Sequence, residues 1–165
     1  MSTGLGYPFE TLLKLFDSVP TVRAIKDWSN DPMLHEKHIK TFQSLTNPIN
    51  VLTTHSSWLM ASLSMGANGL LSGAGSIIVD LQVSLFQAIK NKDLELAQTI
   101  NERIFPLTQA FYSAPFLDMH NRMKEALVLL RRTEKAYVRP PLCKLSPIEI
   151  EKIDTALKTA NLGSS

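Results

Sequence analysis

Lys26 is the residue whose setting first suggests chemistry. It ends the short apolar run "TVRAI" and is followed at once by turn-forming residues, "DWSND". Burying an ammonium is costly unless it is paired or neutral. If the run is a strand, Val22, Ala24 and Lys26 share one face by period-two alternation. Two small apolar residues beneath the amine would desolvate it and favour the neutral form, the state in which a lysine attacks a ketone. Spacing alone also has a plainer reading, a solvent-facing charge where a strand surfaces, and it leaves both open.

Other candidates carry weaker signals. His35 and His38 are three apart, a spacing that can bind a metal on one helix face. No acidic or cysteine third ligand accompanies them at helical spacing, so a solvated His35 and a partly buried, hydrogen-bonded His38 are expected. His55 falls at the end of a second apolar run, where it could contact a polar substrate tail or serve the structure. His120 is expected to pack or hydrogen-bond within a helical tail. The stretch "SGAGS", residues 72–76, could cradle a phosphate on backbone N–H groups. It lacks both the P-loop lysine and the G-x-G-x-x-G pattern, and close backbone packing explains it as well. Met60, Met65, Met119 and Met123 read as core filler. Arg131, Arg132 and Lys135 read as a basic helix end favoured by the macrodipole.

Composition sets the frame. The 165 residues suit one domain, with 44% hydrophobic and 19% charged residues, as in ordinary globular proteins. A net charge of +2, with scattered Lys and Arg, argues against a nucleic-acid partner. The single cysteine, Cys143, excludes an internal disulfide and fits a reducing, cytoplasmic setting. The N-terminus has no basic region followed by an apolar stretch, as a secretory signal would. "MGANGLLSGAGSIIVDL" is interrupted by four glycines and cannot span a bilayer as a helix, so no membrane partner is expected.

The elements that must position Lys26 alternate in type. "PFETLLKLFDS" has a helical stripe of Phe9, Leu12, Leu13 and Phe16. "TVRAI" is strand-like. "DPMLHEKHIKTFQSL" is a helix begun by Asp31 as cap and Pro32 at the first turn, with the stripe Leu34, His38, Phe42 and Leu45. "INVLTT" is a second strand, "SSWLMASLSMG" a helix closed by Gly66, and "GLLSGAG" a third strand. This α-β-α-β-α-β order implies parallel βα units, with functional residues at the strands' carboxyl ends. From Ser76 onward the chain is helical. Pro106 is expected to bend or divide one helix. The "SPIE" box at Ser146 caps the last, which Gly163 ends. The domains read as residues 1–75, part of a β/α barrel, and 76–165, the last barrel helix and C-terminal helices.

Three pieces in this order, "VRAIKDWSND", "GANGLLSG" and R-x-P-L at Arg139 to Leu142, resemble the later part of the dihydrodipicolinate synthase and N-acetylneuraminate lyase family. The resemblance runs over nearly the whole chain. It implies an α/β fold, a partial (β/α)8 TIM barrel contributing the last three strands and followed by a C-terminal helical segment. It also implies a Schiff-base lyase or synthase acting on pyruvate or a related 2-keto acid, with no cofactor and no metal. Lys26 would be the catalytic lysine on the sixth strand. Leu71 falls where the family places an apolar residue over the keto acid, and Thr54 where it has a seventh-strand glycine. Thr54, His55, Leu71 and Ser72, at the strand ends, are then the expected substrate-binding residues.

Two departures bear on the substrate. Thr54, His55 and Ser56 stand where dihydrodipicolinate-forming members usually have G-D-D, and Ser76 replaces a common asparagine. Both disfavour a strict dihydrodipicolinate synthase. The chain is also expected to begin after the fifth strand, without the family's Thr-Thr pair and proton-relay tyrosine; Tyr7 does not take that tyrosine's place. Three strands would leave an open, hydrophobic edge, so a homo-oligomer or a complementing N-terminal half is expected. The competing readings are a catalytically inactive remnant, a helical interaction module built on residues 76–162, and a phosphate-binding barrel fragment.

Overall fold

In a computed structural model, which describes residues 6–162, the chain forms two compact units that meet in sequence between Ser72 and Gly73. The first contains α1 (Phe9–Ser18), β1 (Ala24–Asp27), α2 (Pro32–Phe42), β2 (Asn50–Thr53), α3 (Leu59–Ser64) and β3 (Gly69–Leu70). A 3-10 turn, Ser56–Trp58, leads into α3. The strands form a parallel sheet in the order β1-β2-β3. Lys26 lies opposite Leu52 and Asp27 opposite Thr53, and Leu52 in turn lies opposite Gly69. The third strand is shorter than its sequence suggested, because only Gly69 and Leu70 pair before the chain turns away.

Local chemistry explains these boundaries. Asp31 accepts hydrogen bonds from the N–H groups of Met33 and Leu34, at 3.0 and 3.2 Å, and Pro32 opens α2. Gly66 follows α3 with a φ of +106°, a conformation that favours glycine. A Cβ on Gly69 would meet Leu52 Cδ2 at 3.3 Å, so the glycine lets two strands carry a large residue beside a bare one. The core lies on the helix-covered side of the sheet. There Val51 is fully buried and Phe42 stacks on Phe9 and meets Phe16 edge-on, with centroids 5.2 and 4.9 Å apart.

The second unit is helical: α4 (Gly75–Lys90), α5 (Leu94–Phe111), α6 (Met119–Leu129) and α7 (Pro147–Thr159). α5 packs against α4 and α7. Leu85, Ala97, Leu107, Phe111 and Ala126 are completely buried among them. The Ser146–Glu149 capping box forms with both of its hydrogen bonds. The stop expected at Gly163 lies outside the described residues.

Of the two outcomes expected at Pro106, bending or dividing, division does not occur, and α5 runs through the proline. The break falls instead in α4 at Ile78, whose φ and ψ are −124° and 36°. Beside it Arg132 Nη1 donates to Ile77 O at 2.8 Å, so the basic helix end has a specific backbone acceptor.

Candidate functional site at the carboxyl ends of the strands

Alternation in β1 separates its last two residues. Ala24 and Lys26 are exposed on one face, while Asp27 is buried on the other, beneath α2. Directly opposite residues of parallel strands share a face, so Lys26 stands with Leu52 and Gly69 on the open side of the sheet. It is the only ionisable side chain that the three strands place there. Its shielding from water was expected from Val22 and Ala24. Ala24 is itself exposed, so these two residues do not supply it.

β1 is also an edge strand. A pocket of about 480 Å³ runs along it, walled by Leu12, Leu15 and Phe16 of α1, by Ile25 and Lys26, and by Leu34 and His38 of α2. The lining is mostly apolar.

The strand ends are tied together. Thr54 N–H donates to Asp27 O at 3.2 Å, and Leu71 N–H to Thr53 O at 2.8 Å. The Ser56 and Ser72 hydroxyls hydrogen-bond at 2.6 Å, joining the segments that follow β2 and β3. Of the expected substrate-binding residues, Thr54 and Ser72 are half-buried and Leu71 is exposed. His55 takes a different place. It is buried, stacked on Trp58 with centroids 4.2 Å apart, and meets His35 edge-on at 4.8 Å.

The histidines form one cluster around Asp27. His35 Nδ1 and His38 Nδ1 lie 2.7 and 2.8 Å from Asp27 Oδ2. Ser29 N–H donates to Oδ1 at 2.8 Å, and His55 Nε2 approaches the same oxygen at 3.5 Å. Ser62 Oγ is 2.7 Å from His35 Nε2. Burial alone would push the Asp27 carboxyl up. The side chains of His35, His38 and His55 and the Ser29 N–H outweigh it and hold the group well below the usual carboxylate range.

This corrects the expectation of a solvated His35, which is fully buried, and of a helix pair without a third partner. The acidic partner comes from β1 and the third imidazole from the segment after β2. Helical spacing could not reveal either.

The model of the Dihydrodipicolinate synthetase family matches residues 1–160. The chain belongs to this family. It is 27% identical, over 93% of its length, to a 4-hydroxy-tetrahydrodipicolinate synthase from Rhizobium meliloti, of which it covers 50%. To the putative 2-dehydro-3-deoxy-D-gluconate aldolase YagE of Escherichia coli it is 26% identical, covering 90% of this chain and 48% of that one. The YagE structure, solved in complex with pyruvate, superposes with a TM-score of 0.80 at 25% identity over 90% of this chain and 49% of that one. The dihydrodipicolinate synthase structure from Bacteroides thetaiotaomicron gives a TM-score of 0.81 at 24% identity, covering 96% of this chain and 53% of its own.

The chain therefore spans about half the length of the relatives it matches. Its fold is α/β, part of a (β/α)8 barrel followed by a C-terminal helical segment. As a member of a family of lyases and aldolases it shares their scaffold. No helix among the described residues is long and apolar enough to cross a membrane.

Proposed function

We propose that this chain supplies the catalytic lysine of a carbon–carbon lyase acting on pyruvate or a related 2-keto acid. The observation that carries this reading is the placement of Lys26. It stands at the carboxyl end of a parallel strand, on the open face, as the only ionisable group the three strands put there. Enzymes on this fold place their chemistry at that end.

The chemistry follows from the amine. Lys26 Nζ attacks the C2 ketone, and loss of water leaves an iminium. The C4 hydroxyl gives its proton to water, the electron pair of the C3–C4 bond flows into the iminium, and an aldehyde departs, leaving an enamine. Protonation at C3 and hydrolysis then release the shortened keto acid and free the lysine. Condensation is the same sequence reversed. Thr54, Leu71 and Ser72, at the ends of the neighbouring strands, would line the substrate. His55 is buried in the Asp27 cluster and would hold the strand ends rather than touch the substrate.

Lys26 works this way only when water is excluded from it, and its exposure means that further strands must cover the open face. The edge of β1 and the apolar pocket along it fit one more parallel strand. We assign that place to the other half of a family barrel. A cytoplasmic setting suits such a keto-acid enzyme and the single, exposed cysteine.

The test is to supply that half from the Rhizobium meliloti relative, by fusion or co-expression, and offer a 2-dehydro-3-deoxy sugar acid. Pyruvate release that Lys26→Ala abolishes is expected. A completed, folded barrel that releases no pyruvate, and does not run the condensation with pyruvate either, contradicts the reading and favours an inactive remnant.

A further inference from the structure

The geometry points to a buried divalent transition-metal site made by Asp27, His35 and His55. One donor atom from each lies within 4.8 Å of the other two, and all three residues are buried. Independent support comes from His55. Its side chain is only 1% exposed, yet neither ring nitrogen has a hydrogen-bond partner. Buried imidazoles are ordinarily satisfied, because an unpaired polar group gives up its hydration for nothing. Here Nε2 stands 3.5 Å from Asp27 Oδ1 and makes no hydrogen bond to it.

That separation suits a shared ion. Ligands about 2.0–2.2 Å from a tetrahedral zinc stand roughly 3.3–3.5 Å apart. His35 Nδ1 now contacts the non-ligating Asp27 Oδ2 at 2.7 Å, and that contact has to open for the ring to turn its lone pair to the ion. His35 is equipped to become a ligand. When Nδ1 gives its lone pair to the ion, the ring proton moves to Nε2 and is donated to Ser62 Oγ, already 2.7 Å away. The ring stays neutral and no net proton is gained or lost.

His38 completes the arrangement from outside. It donates from Nδ1 to Asp27 Oδ2 and so fixes the carboxylate that ligates through its other oxygen. Asp27 and His38 also line the pocket along β1, which gives the ion and a fourth, water ligand their path in. The metal would tie the carboxyl ends of β1 and β2 to α2. That role is separate from the proposed lysine chemistry.

The experiment uses the full chain, stripped with a chelator and titrated with Zn²⁺ by calorimetry and with Co²⁺ by visible absorption. One ion per chain is expected, with micromolar or tighter affinity and Co²⁺ bands of tetrahedral or five-coordinate type. His55→Leu should abolish the stoichiometric binding and the thermal stabilisation by Zn²⁺. His38→Gln, which leaves the three ligands in place, should keep one site and weaken it about 10–100-fold. Absence of one-to-one binding by the wild-type chain overturns the proposal, whether or not the variants fold. So does binding that survives His55→Leu. Both readings are independent of pyruvate release, so failure here and failure of the lyase reading are told apart.

Discussion

The two compact units handle buried polarity in opposite ways. In residues 73–162 the completely enclosed Arg122 spends its guanidinium on the carbonyls of Phe111, Ser113, Ala114 and Pro115, at 2.8–3.4 Å, and on Glu149 at 3.3 Å. Every partner is fixed within that unit, and the arginine is thereby a strut. In residues 6–72 the Asp27 cluster gathers three imidazoles around one carboxylate and leaves both nitrogens of His55 unpaired. The sheet beside it ends in an edge strand with an apolar pocket along it. An arginine held by fixed acceptors and an imidazole with none thus sit on one polypeptide. The helical unit also leaves a buried oxygen, Asn121 Oδ1, without a partner, so the open strand edge and the pocket along it are what separate the two.

Hydrogen exchange offers the sharpest contrast. Amides of α5, inside the helical core, are expected to exchange orders of magnitude more slowly than those of β1 that face the open edge. Supplying the other barrel half should slow only the latter. Equal protection in the isolated chain would erase the distinction between the units.

Removing the strut comes next. Arg122→Ala strands four carbonyls and Glu149 and is expected to cost about 3–5 kcal/mol in urea unfolding of the helical unit. A loss below about 1 kcal/mol would mean that water replaces the guanidinium easily. In the other unit, Asp31→Ala removes the acceptor for two N–H groups of α2. About 1 kcal/mol is expected, read from the unfolding midpoint. The smallest effect belongs to Lys158→Ala. Its ion pair with Asp154 is on the surface, and a change within about 0.5 kcal/mol is expected.

Much of the framework was readable in the residues themselves. Asp31-Pro32, Gly66 and the Ser146–Glu149 box mark helix boundaries through chemistry local to the chain, and all three act where the sequence placed them. Lys26 and Asp27 fall on opposite faces because alternation in a strand is local too. The Asp27 cluster was hidden because its members come from β1, α2 and the segment after β2, and only tertiary packing makes them neighbours. Arg122 was hidden for a related reason. Its acceptors are mainly backbone carbonyls, which every residue carries and no side-chain pattern announces. The break in α4 at Ile78 is of the same kind, since Arg132 reaches the neighbouring Ile77 carbonyl from the segment after α6.

The account stands on Lys26 as an imine-forming amine once the barrel is completed. Borohydride reduction in the presence of pyruvate, with the other barrel half supplied, followed by peptide mass mapping, tests this most directly. One reduced pyruvate adduct, confined to Lys26 and absent from Lys26→Ala, is the predicted result. A folded, completed barrel that gains no adduct at saturating pyruvate, or gains it equally on surface lysines, would contradict it.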